Sequence, residues 1–479
     1  MAAEETYSRR LEPAGLTRRG VLGAAAAAAA LAGPAMGAAR RLAPSDRVNL
    51  AVIGAGGKGA DDMTRLTSQN VVAICDVDYD HVHKSLLDRT GNVAPAKQAV
   101  KAAYDKAQRH GDYRRMLDSQ KDIDAVLIAT PDHHHAVAAR TAMERGLHVY
   151  VQKPLTYTIE ESRKLAALAK ADPKLVTQMG NQGHSGDDGR RVVELIRGGV
   201  IGRVHLVHVW TNRPVWPQGV AKGPPMPTPA SLDWPTWLGP ADVDWAYNPD
   251  YAHFNWRGWV PFGSGALGDM GAHLIDFPFW ALDPGLPTRV ETRHTRWPGN
   301  PSLWDTAKRP AVFTGYPEAT LTHYEFGHAK GGPMTMIWYD GGLLPPTPRG
   351  FPANIKMSGD GGVLFVGEHG MLMHETYGEK PVLIGAGLEA RAAKIPHSLP
   401  RVAGGLNGHE MNWIRAIRGE EKASCPFEYA TRLNETMNLG IVAMRADQAI
   451  EYDGAAGRIT NVADANQYLG RQYRKGWEL

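Results

Sequence analysis

Cysteine is nearly absent from this chain. Only Cys75 and Cys425 occur among its 479 residues. Two cysteines cannot build a disulfide framework, and they do not supply the group of thiolates that a cysteine-ligated metal site needs. Cys75 lies inside an apolar run, where a free cysteine acts as a small buried hydrophobic residue. The scarcity of cysteine therefore argues against a small disulfide-rich fold and a thiolate metal centre.

An excess of one charge is also absent. The 53 basic and 50 acidic residues leave a formal net charge of +3, and no basic block interleaved with aromatic residues stands out. Nucleic-acid binding usually depends on such a block, so no nucleic acid partner is expected. With 43% hydrophobic and 22% charged residues the chain can bury a large core, and its length suggests two domains. Small molecules are the expected ligands.

The chain lacks a hydrophobic run long enough for a convincing membrane span, since its alanine-rich stretch at 24–32 is too short. The sequence TRRGVL at 17–22 precedes this stretch and is typical of a twin-arginine export signal, although Val21 replaces the usual aromatic residue. We expect residues 1–44 to be a signal and linker, cleaved near Gly37 or Ala38. The folded protein is then periplasmic or secreted and free of the membrane, with a retained anchor as the alternative.

The segment from Val48 to Asp76 has the pattern of a dinucleotide-binding unit. An apolar strand, a glycine turn, a helix and a second apolar strand follow one another, and the second strand ends in a carboxylate. Gly54, Gly56 and Gly59 fall where the strand turns into the helix, so the backbone can approach a pyrophosphate without side chains in the way. The helix N-terminal amides then face the phosphates.

Asp76 indicates which dinucleotide is bound. It follows Gly56 by twenty positions, where a carboxylate can accept hydrogen bonds from both adenosine ribose hydroxyls. A 2′-phosphate would be repelled by this carboxylate, and no arginine follows it directly. The sequence therefore predicts NAD in preference to NADP. Lys58 inside the turn weakens this preference.

Strand and helix patterns alternate after this unit, as a parallel sheet with helices on both faces requires. Beyond residue 204, β-branched and aromatic runs predict a mostly antiparallel sheet, and helical patterning returns near the end. We expect an α/β fold with an N-terminal Rossmann domain at 45–175 and a C-terminal α+β domain with a large, mostly antiparallel sheet at 176–479. Predicted strands are 123–130, 148–151, 176–180, 204–210, 320–326, 334–339 and 362–366, and predicted helices are 136–145, 190–197, 408–418 and 430–449.

Two patterns carry candidate catalytic groups. Lys153 follows the predicted strand at 148–151, and ligands of open parallel sheets bind beyond the carboxyl ends of the strands. Partial burial should lower its pKa and let it hydrogen-bond a substrate hydroxyl. Asp269 and His273 stand four residues apart on a predicted helix face, where histidine suits proton transfer and the carboxylate can orient it. A surface lysine and an ordinary helix-surface contact are the alternatives.

His133, His134 and His135 do not favour a metal site, because three successive residues cannot easily converge on one ion. We therefore predict no metal.

Aromatic residues are concentrated between 210 and 259. Most of them are expected to pack in the core, but one or two can stack against a sugar ring. Polar neighbours can bind the sugar hydroxyls. The predicted substrate-binding residues are His184, Asn255, Trp256 and Arg257.

Four motifs together resemble the Gfo/Idh/MocA oxidoreductase family, which includes glucose–fructose oxidoreductase and inositol dehydrogenase. They are GAGGKG, ATPDHHH, QKP and GALGDMGAHLID, and the resemblance spans roughly 47–450. It implies that His273 accepts a hydroxyl proton, Asp269 holds substrate and Lys153 links substrate and nicotinamide. It also implies a homodimer or homotetramer. The expected cofactor-binding residues are Gly54, Gly56, Gly57, Gly59, Asp76, Thr130, Pro131, His135, Gln152 and Lys153.

The chain departs from the family pattern at two positions. Gln152 stands where glutamate is common, and Asp132 stands where asparagine is common. Both changes alter the charge near Lys153. The stretches DWPTWLGPA, FNWRGWVPFG, TQMGNQGHS and YRKGWEL resemble a secreted subgroup of the family, and that likeness does not identify a substrate.

These observations predict an NAD(P)-dependent oxidoreductase that takes hydride from a CH–OH group of a sugar, glycoside or polyol. Because an exported enzyme has no cytoplasmic NAD pool, we expect a tightly bound cofactor. The first alternative is a redox-assisted glycoside hydrolase or lyase, in which transient oxidation at C3 acidifies C2–H and permits elimination of the anomeric group. The second alternative is a nucleotide-binding protein that has lost its chemistry.

Overall fold

The computed structural model describes residues 47–295, 314–327 and 331–479. The predicted export signal at 1–44 lies outside the described residues. Residues Val48–Leu479 pack together as one unit. Among the described helices, none combines the length and the apolar character that a membrane crossing needs.

The first sheet has six strands in the order β3-β2-β1-β4-β5-β6, and all neighbours are parallel. The strand order reverses beside β1, which opens a ligand-binding crevice at the carboxyl ends of β1 and β4. β6 pairs with β5 in this sheet, although it follows residue 175, where the first domain was predicted to end. The domain boundary itself stays a prediction. The strands are β1 Asn49–Ile53, β2 Asn70–Cys75, β3 Gln108–His110, β4 Ala125–Ile128, β5 His148–Gln152 and β6 Thr177–Gly180.

Six helices connect these strands. The best-capped one begins after Thr158, whose hydroxyl accepts from the Glu161 N–H while the Glu161 carboxylate accepts from the Thr158 N–H. The helix predicted at 136–145 begins four residues earlier, at Asp132, directly after Pro131. The helices are α1 Gly57–Met63, α2 Tyr79–Ser85, α3 Gln98–Tyr104, α4 Tyr113–Ser119, α5 Asp132–Met143 and α6 Ile159–Ala171.

The second sheet has nine strands in the order β13-β12-β11-β7-β10-β9-β8-β14-β15. All neighbours are antiparallel except β7 and β10, which are parallel. The predicted α/β class, with a Rossmann domain and a mostly antiparallel second sheet, is therefore confirmed. The strands are β7 Val204–Thr211, β8 Arg289–His294, β9 Thr320–Phe326, β10 Met334–Tyr339, β11 Gly361–Gly367, β12 Gly370–His374, β13 Val382–Ile384, β14 Ile450–Asp453 and β15 Arg458–Ile459.

Helix α13 joins the two halves of the structure. It packs on α6 of the first domain, on β8 of the second sheet and on α9, so it fixes the position of α9 relative to the first sheet. Most of its residues are buried. The second group of helices is α7 Asp187–Arg197, α8 Trp234–Leu238, α9 Gly265–Leu274, α10 Asp276–Leu282, α11 Leu388–Ala392, α12 His409–Ile417 and α13 Phe427–Ala446.

Candidate active site

Two glycines are required where β1 turns into α1: Gly54 in the turn and Gly59 in the first turn of the helix. Gly54 has φ +80°, and a Cβ there would lie 2.7 Å from the backbone of Ala129. A Cβ on Gly59 would lie 2.0 Å from the Gly54 carbonyl oxygen. The turn, which we call the glycine cradle, therefore has no side chains of its own at these two glycines, which is what the close approach of a pyrophosphate to a helix N-terminus needs. These residues fit a dinucleotide.

Asp76 directly follows β2 and lies beside this cradle. Its Oδ2 accepts from the Gly56 N–H at 3.2 Å, and its Oδ1 accepts from the Asp78 N–H at 3.1 Å. Burial raises the pKa of Asp76, and these N–H groups act against that rise. The predicted ribose-binding carboxylate is thus fixed in place at the strand end. Gly57 uses its N–H differently, donating to Ser85 Oγ at 2.7 Å.

A segment of the second domain reaches the same end of the crevice. His253 Nε2 donates to Asp78 Oδ2 at 2.9 Å, and the His253 ring stacks on His81 with centroids 3.9 Å apart. His81 in turn lies against Gly56, where a Cβ would be 2.6 Å from the His81 Cδ2. We call residues 253–257 the covering segment. Its N-terminal end is held to the first domain beside the predicted ribose site.

The other end of the covering segment is held at α9. Arg257 Nε donates to Asp269 Oδ1 at 3.1 Å, and the Arg257 guanidinium lies over the Trp256 ring at 4.2 Å. Trp256 is buried, and Asn255 begins a short 3-10 turn at Asn255–Gly258. Three of the predicted substrate-binding residues therefore lie on this segment, and Arg257 bonds directly to the predicted catalytic residue Asp269.

Lys153 and Asp269 form a close ion pair across the two domains. Lys153 follows β5, and its Nζ donates to Asp269 Oδ1 at 2.6 Å and to the Asp269 carbonyl oxygen at 2.8 Å. Burial acts to raise the pKa of Asp269, but Lys153 and Arg257 hold it well below its usual range. Burial lowers the pKa of Lys153, and the attraction of Asp269 opposes that change.

His273 lies one helical turn beyond Asp269 on α9 and is buried. Its Nδ1 donates to Asn181 Oδ1 at 3.2 Å, and its ring meets Tyr377 edge to face at 4.9 Å. Burial and the nearby charge of Lys153 put the pKa of His273 well below its ordinary value. The imidazole is therefore neutral, with Nδ1 protonated and Nε2 able to accept a proton. We call Lys153, Asp269 and His273 the Lys–Asp–His cluster.

Asn181 and Tyr377 were not among the predicted site residues. Asn181 directly follows β6, and Tyr377 follows β12 in the second sheet. A strand-end position was the only signal for Asn181. The sequence offered no signal for Tyr377, because its contact with His273 depends on the packing of the second sheet.

Asp132 adds a second carboxyl, besides that of Asp269, near the cluster. It is buried at the start of α5, and its Oδ1 has no hydrogen-bond partner among the described residues. Burial raises the pKa of Asp132 to about 7, and Arg257 and Lys153 oppose this rise. Where the family commonly has a neutral amide, this chain therefore places a carboxyl that can change charge near neutral pH.

Gln152 and His135 bind the chain on either side of Lys153 to neighbouring elements. Gln152 Nε2 donates to the buried Asp62 Oδ2 at 2.7 Å, while Lys58 Nζ pairs with the other oxygen of Asp62 at 2.5 Å. The two ring nitrogens of His135 lie 2.7 Å from the Pro154 oxygen and 2.9 Å from the Thr130 oxygen. His135 therefore ties the end of β4 to the turn that carries Lys153.

His133 and His134 are packing residues. Both rings lie in the first turn of α5 and reach the Trp237 carbonyl oxygen, at 3.0 and 2.9 Å. Within the described ranges, no group of three histidine, cysteine or acidic residues has the geometry to hold a metal ion.

His184 does not join the Lys–Asp–His cluster through any recorded contact. Its Nδ1 donates to Asp276 Oδ2 at 3.0 Å, and its ring stacks on Trp280 at 3.7 Å. Asp276 also accepts from the Tyr429 hydroxyl at 2.6 Å. One ring nitrogen of His184 is thus committed to a buried carboxylate, and its role in holding substrate hydroxyls stays a prediction.

Both domains match one family of known proteins. Residues 48–179 match its NAD-binding Rossmann fold, and residues 194–295 match its C-terminal alpha/beta domain. The chain belongs to the Gfo/Idh/MocA oxidoreductase family. The predicted dinucleotide-binding domain is thereby confirmed as an NAD-binding Rossmann fold.

Two solved structures of this family's fold illustrate the likeness. The WlbA dehydrogenase from Bordetella pertussis, in complex with NADH and UDP-GlcNAcA, is 16% identical with a TM-score of 0.55, covering 85% of this chain and 99% of that one. An inositol dehydrogenase homolog from Azotobacter vinelandii, complexed with NADH and myo-inositol, is 16% identical with a TM-score of 0.51, covering 85% and 98%. At this identity the likeness establishes the shared fold.

Curated relatives carry a different name. A "Glycosyl hydrolase family 109 protein" from a Shewanella species is 31% identical over 166 residues, which is 33% of this chain and 34% of that protein. A protein of the same name from Solibacter usitatus is 29% identical over 168 residues, or 34% and 36%. The matched region thus spans about a third of each relative's length.

Proposed function

We propose that this protein is an NAD-dependent oxidoreductase that removes hydride from a CH–OH group of a sugar, glycoside or polyol. The observation that carries the proposal is the Lys–Asp–His cluster, in which Lys153 Nζ lies 2.6 Å from Asp269 Oδ1 beyond the carboxyl end of β5. The glycine cradle lies at the carboxyl end of β1 in the same sheet. Ligands of such sheets bind beyond these strand ends.

The chemical roles follow from the charges of the cluster. Bound NAD would supply the hydride acceptor. His273 Nε2 takes the hydroxyl proton, because Nδ1–H is committed to Asn181 and the imidazole is neutral. Asp269 remains anionic and accepts from a second substrate hydroxyl, and the Lys153 ammonium stabilises negative charge on the oxygen that loses its proton.

The geometry favours NAD over NADP. The Asp76 carboxylate lies beside the Gly56 N–H, at the position predicted for the ribose, where it would repel a 2′-phosphate. Lys58, the residue that weakened this preference, is paired with Asp62 at 2.5 Å. Its charge is therefore already compensated by a buried carboxylate.

The covering segment supports the proposal that the cofactor is retained between turnovers. It is fastened at His253 to the first domain and at Arg257 to α9, so it runs from the ribose end of the crevice to the Lys–Asp–His cluster. A separate contact joins the second domain to the chain just before Asp78, where the Asp233 N–H donates to the Val77 oxygen at 3.0 Å. A segment fastened at both ends of the crevice would have to move for a dinucleotide bound beneath it to leave, which is the reason we propose retention.

Replacing His253 with alanine is expected to weaken nucleotide retention by about one to two orders of magnitude. The change removes the hydrogen bond to the Asp78 carboxylate and the stacking on His81, and a hydrogen bond to a charged group contributes about 1.5–3 kcal/mol. Nucleotide released by denaturation after extensive gel filtration measures the effect. The control is His83→Ala, because His83 is exposed on α2, the helix that also carries His81. Equal retention by both variants would contradict the proposed fastening.

A redox-assisted glycoside hydrolase or lyase is the second candidate function, and the similarity of this chain to proteins named glycosyl hydrolase family 109 favours it. Aryl glycosides separate the two functions. Release of the phenol without an added electron acceptor supports assisted cleavage, because that reaction has no net redox change. Accumulation of a ketosugar with reduction of the nucleotide supports dehydrogenation. Failure of both reactions on a broad panel of sugars and polyols would favour a nucleotide-binding protein without catalysis.

We further propose that the protein is exported in the folded state to the periplasm or beyond, and that it forms a homodimer or homotetramer. The twin-arginine pattern at 17–22 supports export. Cell fractionation and light scattering of the purified protein test these two proposals.

A further inference from the structure

Phe254 stands out among the aromatic side chains that the structure describes, because it alone is exposed. Its exposed fraction is 52%, whereas the neighbouring Trp216 and Trp256 are buried. An exposed aromatic ring at the edge of a crevice leaves apolar surface available for a flat ligand. Phe254 belongs to the covering segment, so this surface lies beside the proposed active site.

The Phe254 ring is held in place. The Arg257 guanidinium lies over it at 4.8 Å from the ring centroid, and Arg257 Nη1 donates to the Phe254 carbonyl oxygen at 3.0 Å. The Trp216 ring meets it edge to face, with centroids 6.0 Å apart. A guanidinium and a second ring thus set the orientation of Phe254 before any ligand arrives.

A short chain of contacts links this ring to the Lys–Asp–His cluster. Arg257 lies over Phe254 and at the same time donates from Nε to Asp269 Oδ1, which accepts from Lys153. One arginine side chain therefore separates the exposed ring from the carboxylate that we place against the substrate hydroxyls. A substrate ring held by Asp269 would carry its substituent toward Phe254.

The geometry points to a subsite, formed by Phe254, Arg257 and Trp216, for the aglycone ring of a glycoside. This inference rests on the proposed function and narrows its substrate class from sugars and polyols in general to glycosides. Phe254 has no polar side-chain atom, so it selects a flat apolar face, either an aryl group or the C–H face of a second sugar. Arg257 flanks that face with a cation.

Phe254→Ala tests the subsite with two probes that share one sugar and differ in the aglycone. Methyl and 4-nitrophenyl glycosides of glucose, galactose and N-acetylglucosamine are compared by binding, measured through tryptophan fluorescence, and by nucleotide reduction or phenol release. We expect the variant to bind the preferred 4-nitrophenyl glycoside about threefold to tenfold more weakly, since aromatic stacking contributes about 0.5–1.5 kcal/mol. Its affinity for the methyl glycoside should change less than about twofold.

Two further variants make the result specific. Phe254→Tyr keeps the ring and should restore the affinity for the 4-nitrophenyl glycoside. Met226→Ala removes another exposed apolar side chain, with an exposed fraction of 47%, and should leave both affinities unchanged. Equal effects of Phe254→Ala on both probes, no effect on either, or a change in oligomeric state would overturn the subsite.

The outcome also separates this inference from the proposed function. If 4-nitrophenyl glycosides bind in a way that depends on Phe254 but are not turned over, the subsite is supported and the proposed oxidoreductase function is contradicted. If free sugars or polyols are turned over and no glycoside binds, the oxidoreductase function is supported and the subsite is contradicted.

Discussion

Replacing His273 with glutamine is expected to lower kcat about 10²- to 10⁴-fold, which is the contribution of a positioned acid–base group. Glutamine fills a similar space but cannot take up a proton. The bound nucleotide should be retained, because the glycine cradle and Asp76 are built from other residues. Single-turnover reduction of the nucleotide by the best substrate, together with nucleotide content after denaturation, measures both parts of the prediction.

His208→Gln is the matched control for this change. His208 is also buried, but it lies on β7, where its Nδ1 is 3.1 Å from the Tyr339 hydroxyl oxygen. Loss of this histidine should leave kcat within about twofold, because its ring partner is Tyr339 and residues without shared partners act nearly independently. If the two variants turned over at the same rate, His273 would not be the proton acceptor.

The parts of the site that the sequence predicts well are local in the chain. Gly54, Gly56, Gly59 and Asp76 fall within one strand–helix–strand unit, so their spacing alone specifies their geometry. The pairing of Lys153 with Asp269, 116 positions away, cannot be read from local spacing in this way. It was expected only because a strand end and a helix motif occurred in the order that the family shows.

The covering segment was not predicted. His253 contacts Asp78, which is 175 positions away in the sequence, and no local pattern around either residue predicts this contact. Most residues of the aromatic run around it were expected to pack in the core and one or two to line a pocket, without saying which; the structure buries Trp256 and leaves Phe254 exposed. Contacts between loops of different domains depend on how the domains dock, and hydrophobic periodicity does not encode that arrangement.

Secondary-structure predictions failed where polar residues occupy regular elements. Strand β3 consists of Gln108, Arg109 and His110 at the edge of the sheet, and it has no apolar run to detect. Helix α5 begins with Asp132 and three histidines, which are buried because their ring nitrogens meet backbone oxygens. By contrast, the predictions at 320–326 and 334–339 coincide with β9 and β10, whose alternating side chains fit a half-buried strand.

The replacement of the family's usual glutamate by Gln152 has a structural explanation. The Gln152 amide donates to Asp62, a carboxylate that is fully buried and also accepts from Lys58. A glutamate there would put a second negative charge against Asp62, which is costly in a buried site. The glutamine satisfies Asp62 with a neutral donor, and it leaves Asp269 as the anion paired with Lys153.

Replacing Lys153 with methionine is expected to lower kcat/KM by about 10³-fold or more. The change removes both the ammonium that stabilises the developing oxyanion and the ion pair that holds Asp269, and removing one such electrostatic group costs about 10²–10³ in kcat. Loss of Lys153 also lets the pKa of Asp269 rise toward its usual range, although Arg257 still opposes the rise. Lys153→Arg should not restore activity, because a planar guanidinium does not fit a point-charge site.

Lys101→Met provides the control for this change. Lys101 also pairs with a carboxylate at 2.6 Å, that of Asp105, but this pair lies on the surface of α3. Exposed pairs of this kind contribute about 0–1 kcal/mol, so the control should keep its activity and its bound nucleotide. Lys153→Met should also keep its nucleotide, which shows that it has folded. Full activity of that folded variant would contradict both roles proposed for Lys153, and the oxyanion would then be stabilised by Arg257 or another group.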